Sequence, residues 1–252
     1  SYFFALVAGF WVLGKREKML EIGLPSWEKL FSSWKPILYI ATPAALANVL
    51  APLTGAILTR IVASYGADAV AAFGIGTRLE ALAMLGVMAL TALLTPFIAQ
   101  NLGARNMNRI REALTYSSKF SYVWGLAATL LLAVTAYPIA SIFSDNDGVQ
   151  FLTRAYLWII PISFGFFGLS MIASSACNAL NRPIESFAIQ IFRLFILIVP
   201  LAMIGSWQFG MLGVFGGIFV GNVLSGVVAI VWVRFVILPR TEKQTELTFE
   251  SN

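Results

Sequence analysis

The sequence predicts an all-α, polytopic membrane protein, and three observations predict it. Of its 252 residues, 59% are hydrophobic and 12% charged, and the mean hydropathy is +0.82. Soluble domains carry about 25% charged residues. The apolar residues fall in runs long enough to cross the roughly 30 Å of bilayer hydrocarbon, and most of the 17 Lys and Arg gather in alternate segments between or after those runs.

Composition also excludes function classes. The pI of about 9.5 comes from short basic turns rather than one basic face, so nucleic acid is set aside as a partner. There is no histidine and a single cysteine, Cys177. An internal disulfide, a Cys/His metal site and a His-based nucleophile or proton relay are therefore excluded. No P-loop or dinucleotide fingerprint occurs, and no acidic pair lies within an apolar run. An enzyme is not expected, and neither is a metal or cofactor.

Residues 1–13, SYFFALVAGFWVL, are shorter than the ~20 residues of a span. No basic stretch precedes them, as a signal peptide requires. They are read as the end of a truncated transmembrane helix, which makes the chain an expected fragment. Residues 14–36 are read as a basic connector in which Trp27, Leu30, Phe31 and Trp34 recur at helical spacing, as in a helix lying at headgroup level.

Six crossings follow within 37–238. The first, 37–63, is interrupted by Pro43 and Pro52 with Asn48 between them; prolines free backbone carbonyls and bend a membrane helix. The second, Val70 to Gly103, organises the others in this reading: it carries Arg78 and Glu80 early, Pro96 late and a polar exit at Gln100-Asn101. It is expected to be one kinked crossing with a buried charge pair. A basic loop follows at 103–119, then crossings at 120–143, 151–179 (with Arg154, Tyr156, Pro161 and Asn178), 184–205 (with Gln190 and Arg193) and 209–238. Gly205 to Gln208 is the expected last turn. Gly213, Gly217 and Gly221 form a small-residue ridge for close helix packing. Residues 239–252 read as a disordered cytoplasmic tail.

Thirteen of the 17 basic residues lie in the connector, the 103–119 loop, the 181–183 turn and the end of the chain. The turns at 64–69, 144–149 and 206–208 hold none. By the positive-inside rule the first set faces the cytoplasm, in a multi-pass plasma (inner) membrane protein.

A charge at mid-bilayer costs about 2.5–3.5 kcal/mol on insertion scales, so such residues are functional candidates by default. Glu80 is the single acidic candidate for ion coupling. Arg193, near the middle of its crossing, and Gln190, one turn away, are candidates for a cavity, as are Asn48 and Arg78. Each has a structural alternative. The second crossing is about 50 Å long at 1.5 Å per residue, so Arg78 and Glu80 could form a pair near the outer headgroups, and Asn48 could bond a neighbouring helix. Arg60 and Arg154 read as snorkelling residues, Asn178 and Gln100-Asn101 as helix-end caps, and Cys177 as a small core residue.

The segments TPAALANVLAPLTGAILTRIVASYGADAVAAFGIGTRLE, ALTALLTPFIAQNLGARNMNRIREAL and AYLWIIPISFGFFGLSMIASSACNALNRP together resemble the C-terminal half of multidrug and toxic compound extrusion (MATE) transporters, over about residues 37–238. The resemblance implies a six-helix lobe whose N-terminal counterpart is missing from this chain and would be its partner. It implies export of small-molecule organic cations across the lipid bilayer in exchange for H+ or Na+, with alternating access bending at Pro43, Pro52 and Pro161. By resemblance, Asn48, Glu80 and Tyr156 are cavity contacts. Some members use acidic residues in the seventh and tenth helices; 37–63 and 151–179 contain none, so sodium coupling through that site is not expected. Two alternatives stay open: a lipid-linked oligosaccharide flippase of the same superfamily, and a half-size or non-transporting membrane scaffold.

Overall fold

The computed structural model describes residues 2–16 and 26–243. The chain divides into two compact units, Ser1–Ala41 and Thr42–Asn252. In the first, helix α1 (Tyr2–Trp11) runs into a π turn at Val12–Arg16. Phe4, Phe10, Trp11, Trp27, Phe31 and Trp34 are all exposed there, the pattern of a surface that meets lipid rather than water. Helix α2 (Trp27–Ala63) begins inside the expected connector and is helical throughout. Pro43 and Pro52 do not interrupt it, contrary to the expected bends at both positions.

The second unit is all-helical among its described residues. After α2, the chain forms α3 (Ala67–Ala83) and α4 (Leu85–Gly103), then α5 (Met107–Val134) and α6 (Ala136–Phe143). Next come α7 (Asp147–Ile159), a 3-10 turn at Ile160–Ser163 and α8 (Phe164–Ala179). Last are α9 (Pro183–Ile191), a π segment at Phe192–Ile198 and α10 (Val199–Trp232), which continues through a π turn at Val233–Ile237.

Five stretches of the described residues are long and apolar enough to cross a membrane, and the last of them is 61 residues long. At 1.5 Å per residue it would span about 90 Å as one rod. It does not, because Gly210 has φ 61° and ψ −143°, a conformation closed to residues with a Cβ, and the helix reverses there. This makes six passes, 27–63, 67–103, 107–143, 147–179, 183–209 and 211–243, in agreement with the count expected from the sequence. The turn itself was expected at Gly205–Gln208. Gly205 instead faces Gly213 across the hairpin, where a Cβ on either would collide with the backbone of the other; Gly217 meets Leu201 and Ala202 in the same way. The expected glycine ridge is therefore a packing surface, with Gly205 as its opposing half.

Three further expectations are corrected. The kink of the 67–103 pass lies at Met84, not at Pro96, which sits inside α4. There the Trp124 indole N–H donates to the Ala83 carbonyl at 2.7 Å, and Gly86 leaves room for the ring against the helix. The basic 103–119 loop is only a turn, because α5 starts at Met107 with Met107, Ile110, Leu114 and Ser118 buried; Arg109, Arg111 and Lys119 sit on its exposed face. Helix continues to Lys243 with Leu238 and Thr241 buried, so the tail expected from 239 starts later; 244–252 lie outside the described residues.

The pass around which the unit packs is 147–179 rather than 70–103. Its most apolar window is 61% buried, against 22% in that of Leu85–Gly103, and α8 touches α4, α5, α9 and α10. Small residues make this possible: Gly125 lies on the backbone of Gly165, Gly168 on the Ser121 hydroxyl, and Gly226 on the Phe166 carbonyl. Polar links seal the two ends of the unit. At one, the Tyr65 hydroxyl bonds Ser206 at 2.7 Å, and Asn146 caps α7 through the Gly148 N–H at 2.7 Å while its amide donates to Asp68 at 3.2 Å. At the other, Arg111 pairs with Glu242, and Arg182 pairs with Glu185 at 3.0 Å.

The hairpin gives a direct check. Gly205→Val forces a side chain into the Gly213 backbone and is expected to cost about 1–3 kcal/mol, the usual range for overpacking, seen as a lowered thermal midpoint in detergent. Gly216→Ala, at a position with open space around it, should leave the midpoint nearly unchanged.

Candidate functional site

A cavity of about 460 Å³ opens among α2, α3, α7, α8, the π segment and α10. Its polar lining consists of Thr54, Thr59, Thr77, Glu80, Tyr156, Arg193 and Asn222; Phe73, Phe167 and Ile218 are among its apolar walls.

Each charged or phenolic group stands beside an irregularity in its helix. Glu80 is one turn before the Met84 break, and Tyr156 one turn before the 3-10 turn at Ile160, whose N–H bonds the Tyr156 carbonyl. Arg193 lies within the π segment, an element that recurs at functional positions. Pro161 stands in the first part of the 3-10 turn, and its carbonyl accepts from the Thr129 hydroxyl at 2.6 Å.

The Tyr156 hydroxyl donates to the Glu80 carboxylate at 2.6 Å. Its ring is 1% exposed and is wedged edge-on between Phe73 and Phe215, with centroids 6.0 and 5.2 Å away. Gly76 allows this fit, since a Cβ there would sit 2.5 Å from the ring. Arg193 is 9% exposed. Its Nε donates to Asn222 Oδ1 at 3.3 Å, and its guanidinium lies 3.8 Å from the centre of the Phe167 ring. The Asn222 amide donates in turn to Ser163 Oγ at 3.2 Å. The Thr54 hydroxyl, which also lines the cavity, is buried with no hydrogen-bond partner. Among the described residues no group of three His, Cys, Asp or Glu side chains could hold a metal, so the chemistry of the cavity rests on one carboxylate, one phenol and one guanidinium.

Of the candidates read from the sequence, the fold brings Glu80, Tyr156 and Arg193 together. Gln190 is half-buried and outside the cavity lining, and Asn48 and Arg78 are exposed and also outside it. The expected charge pair of Arg78 with Glu80 does not form. Residues two apart on a helix do not share a face, and the partners of Glu80 come from other passes. Arg60 is exposed, and Arg154 lies over the Tyr137 ring at 4.6 Å with its Nε on the Gln150 carbonyl at 3.2 Å. Sequence reasoning missed Asn222, Ser163, Thr54 and Phe167. Only Asn222 carried a signal, as an amide inside the last apolar run.

The MatE family model matches residues 43–204. A protein of Shewanella oneidensis named as an FAD transporter is 37% identical over 227 residues, 90% of this chain and 50% of that protein. The probable multidrug resistance protein YoeA of Bacillus subtilis is 24% identical over 170 residues, covering 68% of this chain and 37% of that protein. Among solved structures, the Vibrio cholerae MATE transporter VcmN in its bent form superposes with a TM-score of 0.83 at 30% identity, over 96% of this chain and 55% of that one. The chain thus spans about half the length of the curated relatives it matches.

The coupling between phenol and carboxylate is measurable. Tyr156→Phe leaves Glu80 without its donor and is expected to lower stability by about 1–3 kcal/mol. In the double variant Tyr156→Phe/Glu80→Gln the two losses should fall well short of additive, because both remove the same bond; thermal midpoints of the four proteins check this.

Proposed function

The chain belongs to the multidrug and toxic compound extrusion (MATE) family of transporters, and from that premise we propose that it forms the carboxy-terminal six-helix lobe of an exporter driven by an H+ or Na+ gradient. The observation that carries the reading is Glu80: among the lining residues of the cavity it is the one carboxylate, and it is hydrogen-bonded to a buried tyrosine beside a buried arginine. Such a group can exchange a proton or a sodium ion for a second ligand, because the two charge states of the carboxylate favour different occupants of the cavity.

In this proposal the amino-terminal lobe completes the transport pathway, and organic cations are exported against the entry of the coupling ion. The end of the lobe carrying Arg105, Arg109, Arg111, Arg182 and Arg240 faces the cytoplasm of a plasma-membrane protein, as the positive-inside rule requires. Alternating access is served by the Met84 break and the Pro161 turn, which flank Glu80 and Tyr156.

A second substrate reading is export of a flavin dinucleotide. The Shewanella relative supports it by its name and its 37% identity over 90% of this chain. Arg193, the one cation among the residues that line the cavity, favours an anionic group on the cargo.

Proteoliposomes of the full-length protein decide between these readings. Ethidium and FAD are loaded separately, and a proton or sodium gradient is imposed. We expect gradient-driven efflux in the wild type and a loss of at least tenfold in Glu80→Gln. Undiminished gradient-driven efflux in Glu80→Gln removes the coupling role from this carboxylate, and the cargo that moves identifies the substrate class.

A further inference from the structure

We propose that the Arg193–Asn222 corner of the cavity is an oxyanion subsite that takes the phosphate or diphosphate of an organic anion; this rests on the reading of the cavity as the substrate-holding part of an exporter. The argument starts from how the guanidinium is held. Arg193 is nine-tenths buried. One face lies on Phe167 and its Nε is occupied by Asn222. Among the described residues the two terminal amino groups donate to no protein acceptor, and no ion pair with Glu80 forms.

A buried guanidinium normally has its donors satisfied, because an unpaired buried charge is costly. Here the donors left open are the two that form the planar fork matching a pair of phosphate oxygens. The ring against one face and the in-plane bond from Nε hold the fork from two directions. The group holding Nε is a neutral amide, itself positioned by Ser163, so the positive charge at this corner is not quenched as it would be by Asp or Glu. A hydroxyl stands ready as a further donor: Thr54 Oγ1 is buried, lacks a partner and lines the same cavity. The volume of about 460 Å³ lies within the roughly 300–1,000 Å³ of small-molecule sites and exceeds what a phosphate group needs, leaving room for part of an organic moiety against Phe73 and Ile218.

Glu80 sets the opposing term. It lines the same cavity, and its negative charge repels an oxyanion bound at Arg193. The Tyr156 hydroxyl, not the guanidinium, bonds the carboxylate, which keeps the fork available. Removing the charge of Glu80 should therefore strengthen anion binding, whereas removing that of Arg193 should abolish it. A purely structural role for the two residues produces no such opposition.

The test is equilibrium binding to the full-length protein in nanodiscs, with no gradient, using three probes: FAD, its phosphate-free parent riboflavin, and inorganic pyrophosphate. In the wild type, pyrophosphate should compete with FAD. Arg193→Gln should weaken FAD at least tenfold while riboflavin changes less than twofold. Arg193→Lys, which keeps the charge but not the fork, should fall between. Glu80→Gln should tighten FAD severalfold, and it retains an oxygen for Tyr156, so it serves if Arg193→Gln does not fold. Binding of pyrophosphate without FAD would identify free phosphate-type anions as the ligand of the same subsite. Failure of both to bind the wild type, equal loss of FAD and riboflavin in the arginine variants, or weaker FAD binding in Glu80→Gln would overturn the proposal. None of these outcomes touches gradient-driven efflux, so the exporter reading stands or falls separately.

Discussion

Opposite charges within one apolar lobe, Arg193 buried and Glu80 half-buried, each held by a neutral partner instead of by the other, constrain the rest of this structure. Had Glu80 and Arg193 closed on one another, the pair would be a structural staple with no capacity to respond to a ligand. Instead the carboxylate is held by a phenol and the guanidinium by an amide and a ring. Both charges remain available to the cavity, at a desolvation cost that the surrounding hydrogen bonds offset.

That arrangement depends on departures from regular helix. A straight α-helix satisfies its own backbone and is the default in a bilayer. The breaks at Met84 and Ile160 and the π segment at Phe192–Ile198 each surrender some of that regularity within a turn of a cavity residue. The freed or strained groups find partners from neighbouring passes: Trp124 takes the Ala83 carbonyl and Thr129 that of Pro161. Pro96 shows the complementary case. Its ring removes a backbone donor inside α4, yet the helix continues, with the Thr95 and Ser175 hydroxyls bonded to one another at 2.8 Å and one of them donating onward to the Thr91 carbonyl, which lies within reach of both. Proline in a membrane helix is thus a weaker sign of a break than a neighbour able to accept or donate at the backbone.

Close approach of helices supplies the remaining rigidity. With lipid as apolar as leucine, helices gain little by hiding apolar surface from it, so contact between small residues and interhelical hydrogen bonds carries association. The α8 surface, built of Gly, Ala and Ser, touches four other helices, and the α10 hairpin is zipped by glycines on both limbs. Large aromatic residues are placed where these surfaces leave space, as Tyr156 is over Gly76 and Trp124 over Gly86. The cavity walls are thereby held by elements on several sides.

The sequence by itself determined the membrane class, the number of passes and the turns between most of them, because hydrocarbon thickness and the exclusion of charge from it act on single segments. It also singled out Glu80 and Arg193, since an ionisable group in an apolar run stands out without any neighbour, whereas Tyr156 was pointed to only by the family resemblance. Basic residues on α5 hid a helix behind an apparent loop, as their shared exposed face was legible only through the buried stripe of Met107, Ile110 and Leu114. Partners were beyond its reach. Glu80 was paired with Arg78 by proximity along the chain, although the two point to different sides of α3. That Tyr156 meets Glu80, that Asn222 holds Arg193 and that Gly210 rather than Gly205 turns the last hairpin were decided by tertiary structure alone. Each depends on which faces of distant passes come together, a property of packing between segments that no single segment contains.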